Sequence, residues 1–582
     1  MKFKMRKTSA MLIAMALSVS TIAVGFSGCA KDEPAVSTDS AQASTSSVST
    51  DASSTGVVIK PQFKIWIASD EKKSPEVTAV QKLFKEKYGF DFTVSSRQGD
   101  LMTALNLKLN SGTLDDMSII YKDTVAENAF IKSGLVQEAG EFFKMPDKYP
   151  NLAKVPEKVI DYSKSSDGKN WYMPGWYAQE MDDPWPGWAA TAWWARTDLL
   201  EKVGMTEADL STIEGFEKYF RAVAQLKDSS GKPIIPLGMI INEGNTINAE
   251  EAIILSTFGC DYPGSASKMP GTTKKGNDMV FMYDDPNFKN AYSWMSKMYR
   301  EGLMDIEVPT QKVERYREKI NAGRYGMIAG SIWKAELNNA WAKINGPQDS
   351  TTWYLDPVKN PKVSGVEASG AVQTVNPYPS TSIFISKDTK NLDSVLSFLD
   401  WCQEAKPERQ HEINEGPVGI NWNWTGEPLG EWDFIPEYKV ERNSGDQARV
   451  DQLTPQLWAI GTYSKKWYPW WTAKVDESTP KGNALTNKYV AEIANDFGIV
   501  RPIHAYDLVA APAGGVIEKY LPTLNAVYIE YRARLMMSKS DEQFEDNFKK
   551  FQDQLETRAH WSEMKAEWQQ AYKTYLANNK DF

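Results

Sequence analysis

The residues best suited to holding a ligand are concentrated in one aromatic segment, from Trp171 to Trp194. This segment contains six of the chain's 21 tryptophans. Three prolines and two glycines interrupt it, so Trp176, Trp185 and Trp188 cannot share one face of a regular helix. An indole face is a broad apolar platform for the C–H face of a sugar ring, and a nearby carboxylate such as Glu180 can accept hydrogen bonds from the sugar's hydroxyls. The segment predicts a carbohydrate-binding cleft; the alternative is a tryptophan-lined loop packed against its own domain.

Two other aromatic clusters are interrupted by glycine, proline and polar residues, a pattern that is typical of loops. In the first, Trp422 and Trp424 occupy alternate positions, which fits ligand contacts and one face of a buried strand equally well. The second extends from Tyr463 to Trp471, and its crowded aromatic side chains cannot all point the same way. We expect two of them at most to contact a ligand, with Trp467 and Trp470 as the candidates.

No residue pattern in the chain indicates catalysis or a metal site. The sequence has no Gly-x-Ser-x-Gly elbow, no His-Glu-x-x-His motif, no phosphate-binding loop and no Rossmann glycine triplet. Its three histidines have no neighbours at metal-ligand spacing. A glycoside hydrolase would need two carboxylates about 5 to 10 Å apart, but a chain with 76 acidic residues always allows some pair, so their presence decides nothing. We therefore expect a binding protein without catalytic residues, cofactor or metal.

Charge and cysteine content narrow the possible partners. The net charge is −10 and the sequence has no basic clusters, so nucleic acid is not an expected partner. Cys260 and Cys402 both lie in apolar contexts. They could form a disulfide or remain two buried thiols.

The N-terminal residues resemble a bacterial lipoprotein signal peptide. Four basic residues precede an apolar run at 11–24, which is too short to span a bilayer comfortably and is followed by Phe26-Ser27-Gly28-Cys29. In such lipoproteins the signal is cut before the cysteine, which then carries a diacylglycerol. The resemblance implies a signal peptide at residues 1–28 and a lipid anchor at Cys29, on the extracellular face of the cytoplasmic membrane. An ordinary secretory signal with an accidental cysteine is the alternative.

A flexible tether and a large folded region should follow the anchor. Residues 29–57 are rich in Ser, Thr, Ala and Asp, so they cannot bury enough apolar surface to offset the entropy of ordering. The folded region opens with an apolar strand at 64–67, an amphipathic helix closed by Gly89, and an alternating strand at 90–94. In such a β-α-β unit the loop after the first strand lies at the carboxyl edge of the sheet, where open α/β sheets bind ligands. This loop contains Asp70.

A family resemblance is carried by motifs that recur in order along the chain. The sequence is similar to the type II solute-binding proteins of ABC importers, including maltose-binding proteins, in five segments: FKIWIASDEKKSPEVTAVQKLFKEKYGFDFTV, DGKNWYMPGW, WWARTDLLEKVG, INAGRYGMIAGSIW and SIFISKDTKNLDSVLSFLDWC. Together with further motifs near the C-terminus, the similarity extends over residues 58–582. In length and pattern the chain most resembles the lipid-anchored oligosaccharide-binding members. Each motif alone is weak, but the ordered set is strong.

The resemblance implies an α/β, two-lobed type II periplasmic-binding-protein fold with a hinge between the lobes. Lobe 1 would comprise residues 58–190 and about 378–430, and lobe 2 residues 191–377 and about 431–582. Some longer relatives carry a calcium loop near the helix after the crossover strand. The corresponding residues 227–233 lack its alternating acidic ligands, so no calcium is expected there.

The resemblance also implies site residues and partners. Asp70 matches the sugar-contacting acid after the family's first strand, Trp333 its stacking tryptophan, and Glu243 a further sugar-contacting acid. With the aromatic candidates, the predicted ligand-binding set is Asp70, Trp176, Tyr177, Trp185, Trp188, Glu243, Trp333, Trp422, Trp424, Trp467 and Trp470. The implied function is capture of an oligosaccharide by lobe closure and its delivery to ABC permease subunits, by a monomeric protein. A secreted glycoside hydrolase or a cell-surface polysaccharide adhesin is the alternative, and the sequence does not name the sugar.

Overall fold

The structure is a computed structural model that describes most of the chain from residue 57 to residue 578. Apart from isolated positions, the stretches that it leaves undescribed within this span are residues 69–78, 183–190, 242–247, 262–268, 270–271, 276–277, 332–354, 427–431, 444–456, 465–492 and 494–495.

The described strands are short, and most are separated by helices. They are β1 (Phe63–Ile67), β2 (Phe92–Ser96), β3 (Met117–Tyr121), β4 (Met173–Gly175), β5 (Thr191–Arg196), β6 (Ile235–Gly238), β7 (Thr272–Lys275), β8 (Asp278–Phe281), β9 (Tyr325–Ser331), β10 (Leu355–Val358), β11 (Gln373–Val375), β12 (Thr381–Ile385), β13 (Trp422–Trp424), β14 (Trp432–Phe434) and β15 (Val500–Pro502).

The helices become longer towards the C-terminus. They are α1 (Ala79–Tyr88), α2 (Leu101–Asn110), α3 (Thr124–Ser133), α4 (Glu157–Tyr162), α5 (Thr197–Lys202), α6 (Ile213–Val223), α7 (Ala249–Thr257), α8 (Pro286–Arg300), α9 (Val313–Asn321), α10 (Leu392–Cys402), α11 (Pro407–Glu415), α12 (Pro436–Asn443), α13 (Ala505–Leu508), α14 (Val516–Met536), α15 (Asp541–Ala559) and α16 (Trp561–Asn578). Short 3-10 turns occupy Gly140–Lys144, Leu152–Lys154, Glu207–Leu210, Met282–Asp284 and Trp458–Ile460.

The strands form two main sheets. The first sheet has the order β2-β1-β3-β12-β4, with β1 parallel to β2 and β3 and with β12 antiparallel to both of its neighbours. The second sheet has the order β10-β5-β9-β6, in which β5 is antiparallel to β9 and β10 and β6 is parallel to β9. Two-stranded pairs link β7 with β8, β11 with β15, and β13 with β14.

The first sheet is covered on both faces, which explains the three consecutive apolar residues Ile65, Trp66 and Ile67 in β1. Phe63, Ile65 and Ile67 pack on one face, in a core that includes residues of α1 and α10. Trp66 points to the other face and packs with residues of α2 and α3. A strand buried on both sides has no need of polar alternation. The predicted β-α-β unit is confirmed as β1, α1 and β2, and Gly89 follows α1 with a φ of 76°.

The second sheet shares its core with the three C-terminal helices. Trp193 and Trp194 of β5 are buried in this core, together with Leu524 of α14, Leu555 of α15 and Trp568 of α16. The predicted lobe limits assign residues 457–460 to lobe 2. The buried residues Leu457, Ala459 and Ile460 pack instead in the core of the first sheet.

The two cysteines left open by the sequence are buried in different cores. Cys260 lies in the core of the second sheet and Cys402 in the core of the first, and no disulfide joins them. Burial raises the pKa of the Cys402 thiol, which keeps the thiol protonated. The alternative of two buried thiols is therefore the one observed. None of the described helices combines the length and apolar character needed to cross a bilayer.

Candidate functional site

Three chain segments cross between the two sheets. Residues 175–180 leave β4 of the first sheet on the way to β5 of the second, and residues 376–381 return to the first sheet at β12. Residues 459–464 begin within the 3-10 turn Trp458–Ile460 and continue beyond it. We refer to these three segments together as the hinge.

Backbone hydrogen bonds hold the first and third hinge segments side by side. Trp176 N donates to Gly461 O over 2.7 Å, and Gln179 N donates to Tyr463 O over 2.8 Å. In return, Tyr463 N donates to Tyr177 O over 3.0 Å. These bonds fix the register between two segments that lie far apart in sequence.

The second segment is bonded to the first in a similar way. Ala178 N donates to Pro377 O over 2.9 Å, and Ser380 N donates to Trp176 O over 3.3 Å. Consecutive hinge residues enter different cores, since Trp176 packs in the core of the second sheet and Tyr177 in that of the first. A rotation of one sheet relative to the other must be absorbed at such a point.

The backbone of the hinge is strained at Trp176. Its φ is 52°, and among the described non-glycine residues only His560 shares a positive φ. For a bulky side chain this left-handed conformation costs about 1 to 3 kcal/mol and persists only where surrounding contacts impose it. The preceding Gly175 allows the close packing, because a Cβ atom there would lie 2.3 Å from Ala459 O. Such strain is concentrated at ligand clamps and moving segments.

The carboxyl edge of the first sheet meets the hinge. The strand order places β2 and β3 on opposite sides of β1, so the connections diverge between β1 and β3, where open α/β sheets bind ligands. Asp70 follows β1 but lies outside the described residues. Tyr121 ends β3 with its side chain 47% exposed, and the next residue, Lys122, donates its N–H to Ser380 O of the hinge over 2.9 Å.

Lys122 brings a partly buried cation to this edge. Its Nζ donates to the Tyr172 hydroxyl over 2.5 Å and lies 3.4 Å from Glu127 Oε1. The same Nζ lies 4.8 Å from the ring centroids of Tyr162 and Tyr172. Burial lowers the pKa of Lys122, but the charge of Glu127 and the two tyrosines outweigh it, so the pKa is raised overall and the ammonium stays charged. Sequence reasoning missed Lys122, although its position directly after an apolar strand was a usable signal.

The two carboxylate oxygens of Glu180, at the hinge, differ in their hydrogen bonding. Glu180 Oε1 accepts a hydrogen bond from the Ser464 hydroxyl over 2.8 Å. Glu180 Oε2 is shielded from solvent, and it accepts no hydrogen bond in the structure. Ser464 is itself buried, so it fixes the carboxylate between the first and third hinge segments. This oxygen is an oriented acceptor, and a ligand hydroxyl can reach it only after the groups that shield it move.

Comparison with known proteins decides the family. The family model described as bacterial extracellular solute-binding protein matches residues 69–408, which is more than half of the chain. The chain belongs to this family. A curated relative, an uncharacterized protein in the butB 5' region of Niallia circulans, is 25% identical over 184 residues, which are 31% of this chain and 63% of the relative. The chain thus spans less than two thirds of that relative's length.

Solved structures of solute-binding proteins share the fold. An HMO-binding, ABC-transporter-associated solute-binding protein from Bifidobacterium longum infantis has a TM-score of 0.61 and 13% identity, covering 89% of this chain and 99% of that chain. The alginate-binding protein AlgQ2 has a TM-score of 0.65 and 18% identity with the same coverage. FusA of S. pneumoniae, solved with kestose, has a TM-score of 0.60 and 17% identity, covering 89% and 100%. These similarities confirm the predicted α/β, two-lobed fold class.

Four of the predicted ligand-binding residues of this solute-binding protein are described. Trp176 is 4% exposed, and its ring centroid lies 5.5 Å from that of Tyr463. Tyr177 is 1% exposed and donates its hydroxyl hydrogen to Gln403 over 2.7 Å. Tyr177 thus occupies a core position in the hinge, with no surface open to a ligand in this arrangement.

The other two described candidates lie together on the β13–β14 hairpin, away from the hinge segments in sequence. Trp422 is 0% exposed, donates Nε1–H to Gly416 O over 2.9 Å and packs against the ring of His411. Trp424 is half-buried beside it. Of the two alternatives for Trp422, ligand contact or one face of a buried strand, the structure shows the buried strand. The remaining predicted residues lie outside the described part of the chain: Asp70, Trp185, Trp188, Glu243, Trp333, Trp467 and Trp470.

In the loop at 227–233, where the sequence predicts no calcium, the Asp228 carboxylate accepts its hydrogen bonds from groups of the protein. Asp228 Oδ1 accepts hydrogen bonds from the N–H groups of Ser230 and Lys232, and Oδ2 accepts one from Arg324 over 2.5 Å. The hydrogen bonds of Ser230, Lys232 and Arg324 hold the pKa of Asp228 below its usual range. Within the described residues, no group of three or more potential metal ligands is present.

Proposed function

We propose that this solute-binding protein is the lipid-anchored binding component of an ABC importer, which captures an oligosaccharide by lobe closure and delivers it to a membrane permease. The observation that carries the proposal is the hinge. Three hydrogen-bonded crossing segments join two sheets, and the strained Trp176 lies where the chain passes from one core to the other. Such segments can absorb the rotation that closes two lobes around a ligand.

The proposed lobes follow the predicted limits with one adjustment. Lobe 1 comprises residues 58–190 and about 378–430, and lobe 2 comprises residues 191–377 and about 431–582. Because the buried side chains at residues 457–460 pack in the core of the first sheet, we assign this turn to lobe 1.

Two features support an oligosaccharide as the ligand. In sequence, the tryptophan-rich segment continues directly from the first hinge segment, and we infer that Trp185 and Trp188 line the cleft. Tryptophan faces stack on sugar rings, and Glu180, five residues before Trp185 in sequence, is a carboxylate acceptor held in place by Ser464. Among structurally similar proteins, one is named as alginate-binding and another was solved with kestose.

The function can be tested by titration calorimetry of the purified protein against kestose, fructo-nystose, alginate oligosaccharides and Man5GlcNAc. We expect one of these or a related oligosaccharide to bind with one site per chain and to be recovered intact by mass spectrometry after long incubation. Turnover to cleavage products in excess of the protein would favour the hydrolase. Binding only to long polysaccharide, without a change in lobe distance, would favour the adhesin.

Replacing Glu180 with glutamine should weaken binding of the identified sugar by about ten- to a hundredfold. The variant keeps an oxygen that accepts from Ser464 but replaces Oε2 with an amide nitrogen, which donates instead of accepting. A hydrogen bond to a charged group contributes about 1.5 to 3 kcal/mol, which corresponds to this loss of affinity. Glu141→Gln, on an exposed turn, is the matched control and should bind like the parent. Equal calorimetric affinities for Glu180→Gln and the parent would remove Glu180 from the site.

The anchor can be tested separately from binding. Replacing Cys29 with alanine should move most of the protein from the membrane fraction to the culture medium, because the cysteine thiol is the proposed attachment point of the two acyl chains needed for stable anchoring. Immunoblots of both fractions measure the change, with Ser27→Ala as a control. Unchanged membrane retention of Cys29→Ala would contradict the anchor without affecting the sugar-binding proposal.

A further inference from the structure

Exposed apolar side chains are concentrated at one end of the first sheet. Among the described residues, ten large apolar side chains are exposed, and five of them belong to this end: Val57, Val58, Ile59, Met145 and Ile420. Apolar side chains scattered singly over a surface are ordinary, whereas a cluster of them marks a surface that contacts something other than water. We use the name amino-edge patch for these five residues together with Lys60, Lys87 and Lys148.

Contacts around Gly89, directly after α1, hold one part of the patch together. Lys60 N donates to Gly89 O over 2.9 Å, and the backbone of Val58 passes so close that a Cβ atom on Gly89 would lie 2.3 Å from Val58 O. Two residues before Gly89, Lys87 donates from Nζ over 3.1 Å to a carbonyl of the turn at 417–420, whose last residue belongs to the patch. The end of α1 therefore joins the start of the folded region to this turn.

A carboxylate connects the other part of the patch. Asp393, in the first turn of α10, lies 3.1 Å from Nζ of Lys60 and 2.9 Å from Nζ of Lys148. Lys148 N donates to Met145 O over 3.1 Å, so one tight turn carries both residues. The two ammonium groups share this carboxylate and leave one positive charge beside exposed apolar side chains. Lysine stems can cover apolar surface while their ammonium groups stay at a polar boundary.

The patch lies at the end of the first sheet opposite to the hinge. Residues 57–60 directly precede β1 and Gly89 precedes β2, whereas Tyr121 and Lys122, beside the hinge, lie at the other end of β3. Strands β1 and β3 are parallel, and a strand of five residues spans about 17 Å. The chain therefore enters the folded region at the edge of the first sheet farthest from the proposed cleft.

The chain that precedes the patch indicates what covers it. Residues 29–56 connect the proposed lipid anchor at Cys29 to Val57, and their composition predicts a flexible chain with a root-mean-square length of about 30 Å. A surface tethered so close to a bilayer has an effective concentration on the order of millimolar, so even a weak contact is occupied. Exposed aliphatic side chains with interspersed lysines suit the boundary between acyl chains and anionic headgroups.

We propose that the amino-edge patch lies against the outer leaflet of the cytoplasmic membrane, with its apolar side chains at the headgroup boundary and its lysines on anionic lipid. In this orientation the carboxyl edge of the first sheet, and with it the proposed cleft, faces the medium from which the ligand arrives. The tether lets the protein leave this orientation to reach a permease. The inference rests on the anchor of the proposed function, but on neither the sugar nor lobe closure.

The test replaces the natural anchor with a chemical one. The chain from Cys29 onwards is coupled through this cysteine to a maleimide lipid, in phosphatidylcholine vesicles with about one-third phosphatidylglycerol, while the two other cysteines are buried. Hydroxyl-radical footprinting with mass spectrometry then measures the exposure of single side chains. Oxidation of Met145 should fall about threefold or more relative to the same chain capped with N-ethylmaleimide and mixed with the same vesicles. Oxidation of Met537, which is exposed elsewhere, should not change.

Variants make the result specific to the patch. Ile59→Asp with Ile420→Asp should return Met145 oxidation to the level of the capped chain, because carboxylates are repelled by anionic headgroups and do not enter their boundary. Ile306→Asp, at an exposed apolar position outside the patch, is the matched control and should keep Met145 protected. Melting curves confirm that each variant is folded.

Three results would overturn the proposal: equal oxidation of Met145 in the anchored and capped chains, equal protection of Met537, or protection of Met145 that survives in the double variant. Protection in the capped chain that rises with protein concentration would also overturn it, because a second copy would then cover the patch. The chemical anchor makes these outcomes independent of natural lipidation, which Cys29→Ala fractionation tests, and of sugar binding, which calorimetry tests.

Discussion

Replacing Lys319 with methionine should lower the free energy of unfolding by about 3 to 5 kcal/mol. Lys319 of α9 is buried, and its Nζ lies 2.5 Å from Asp305 Oδ2. The same oxygen accepts the Tyr325 hydroxyl hydrogen over 2.5 Å. Removing the lysine leaves the buried carboxylate without its cation, and the cost of that uncompensated charge far exceeds the net contribution of the pair itself.

A second substitution tests this cause. Adding Asp305→Asn to Lys319→Met removes the unpaired charge while keeping an acceptor for Tyr325, so the double variant should recover about half or more of the lost stability. Lys550→Met breaks an exposed pair with Asp546 and should change stability by less than about 0.5 kcal/mol. Denaturant unfolding followed by circular dichroism measures all three. A double variant as unstable as Lys319→Met would show that the loss comes from packing.

The same network bears on the site. Gln311, whose Oε1 accepts from Lys319 over 3.1 Å, donates Nε2–H to Met239 O over 2.7 Å. Met239 follows β6, in the stretch that leads to Glu243. The buried pair therefore orders the chain as it leaves the second sheet, and we expect Lys319→Met to weaken binding of the proposed oligosaccharide ligand as well as folding.

At the hinge, Trp176→Gly should be more stable than Trp176→Ala by about 1 kcal/mol. Both variants lose a buried indole, which costs about 3 to 5 kcal/mol. Only alanine retains the penalty of a φ near 52°, because glycine adopts the left-handed region without strain. We also expect both variants to bind the proposed oligosaccharide ligand more than tenfold more weakly than the parent, because the indole packs in the hinge where the chain passes from one core to the other.

The matched control lies in the next strand. Trp194 is equally buried, and it is not among the positive-φ residues of the described chain. There the order should be reversed, with Trp194→Gly less stable than Trp194→Ala by about 0.5 to 1 kcal/mol. The midpoints of thermal unfolding of the four variants measure the order of stability of the glycine and alanine variants at each position. The same order at both positions would mean that Trp176 is not held in a strained backbone conformation.

The sequence alone was sufficient to predict helices and strands whose signals come from neighbouring residues. The apolar run at β1, the amphipathic face of α1 and the closing Gly89 are set by neighbouring residues, so the β-α-β unit could be predicted. The ordered motifs then indicated the family and its two-lobed fold. The tryptophan-rich segment was also visible, because three prolines and two glycines between Trp171 and Trp194 exclude one regular helix over that run.

Only the tertiary structure showed which side chains are in contact. These contacts join residues far apart in the chain, and the pattern of neighbouring residues carries no information about them. Alternate spacing left Trp422 equally suited to a ligand or a core, and its packing on His411 decided for the core. Glu180 and Ser464 are 284 residues apart, and only the register of the hinge brings them within a hydrogen bond. The same holds for Lys60 and Asp393, since the energy of one exposed pair is too small to leave a pattern in sequence.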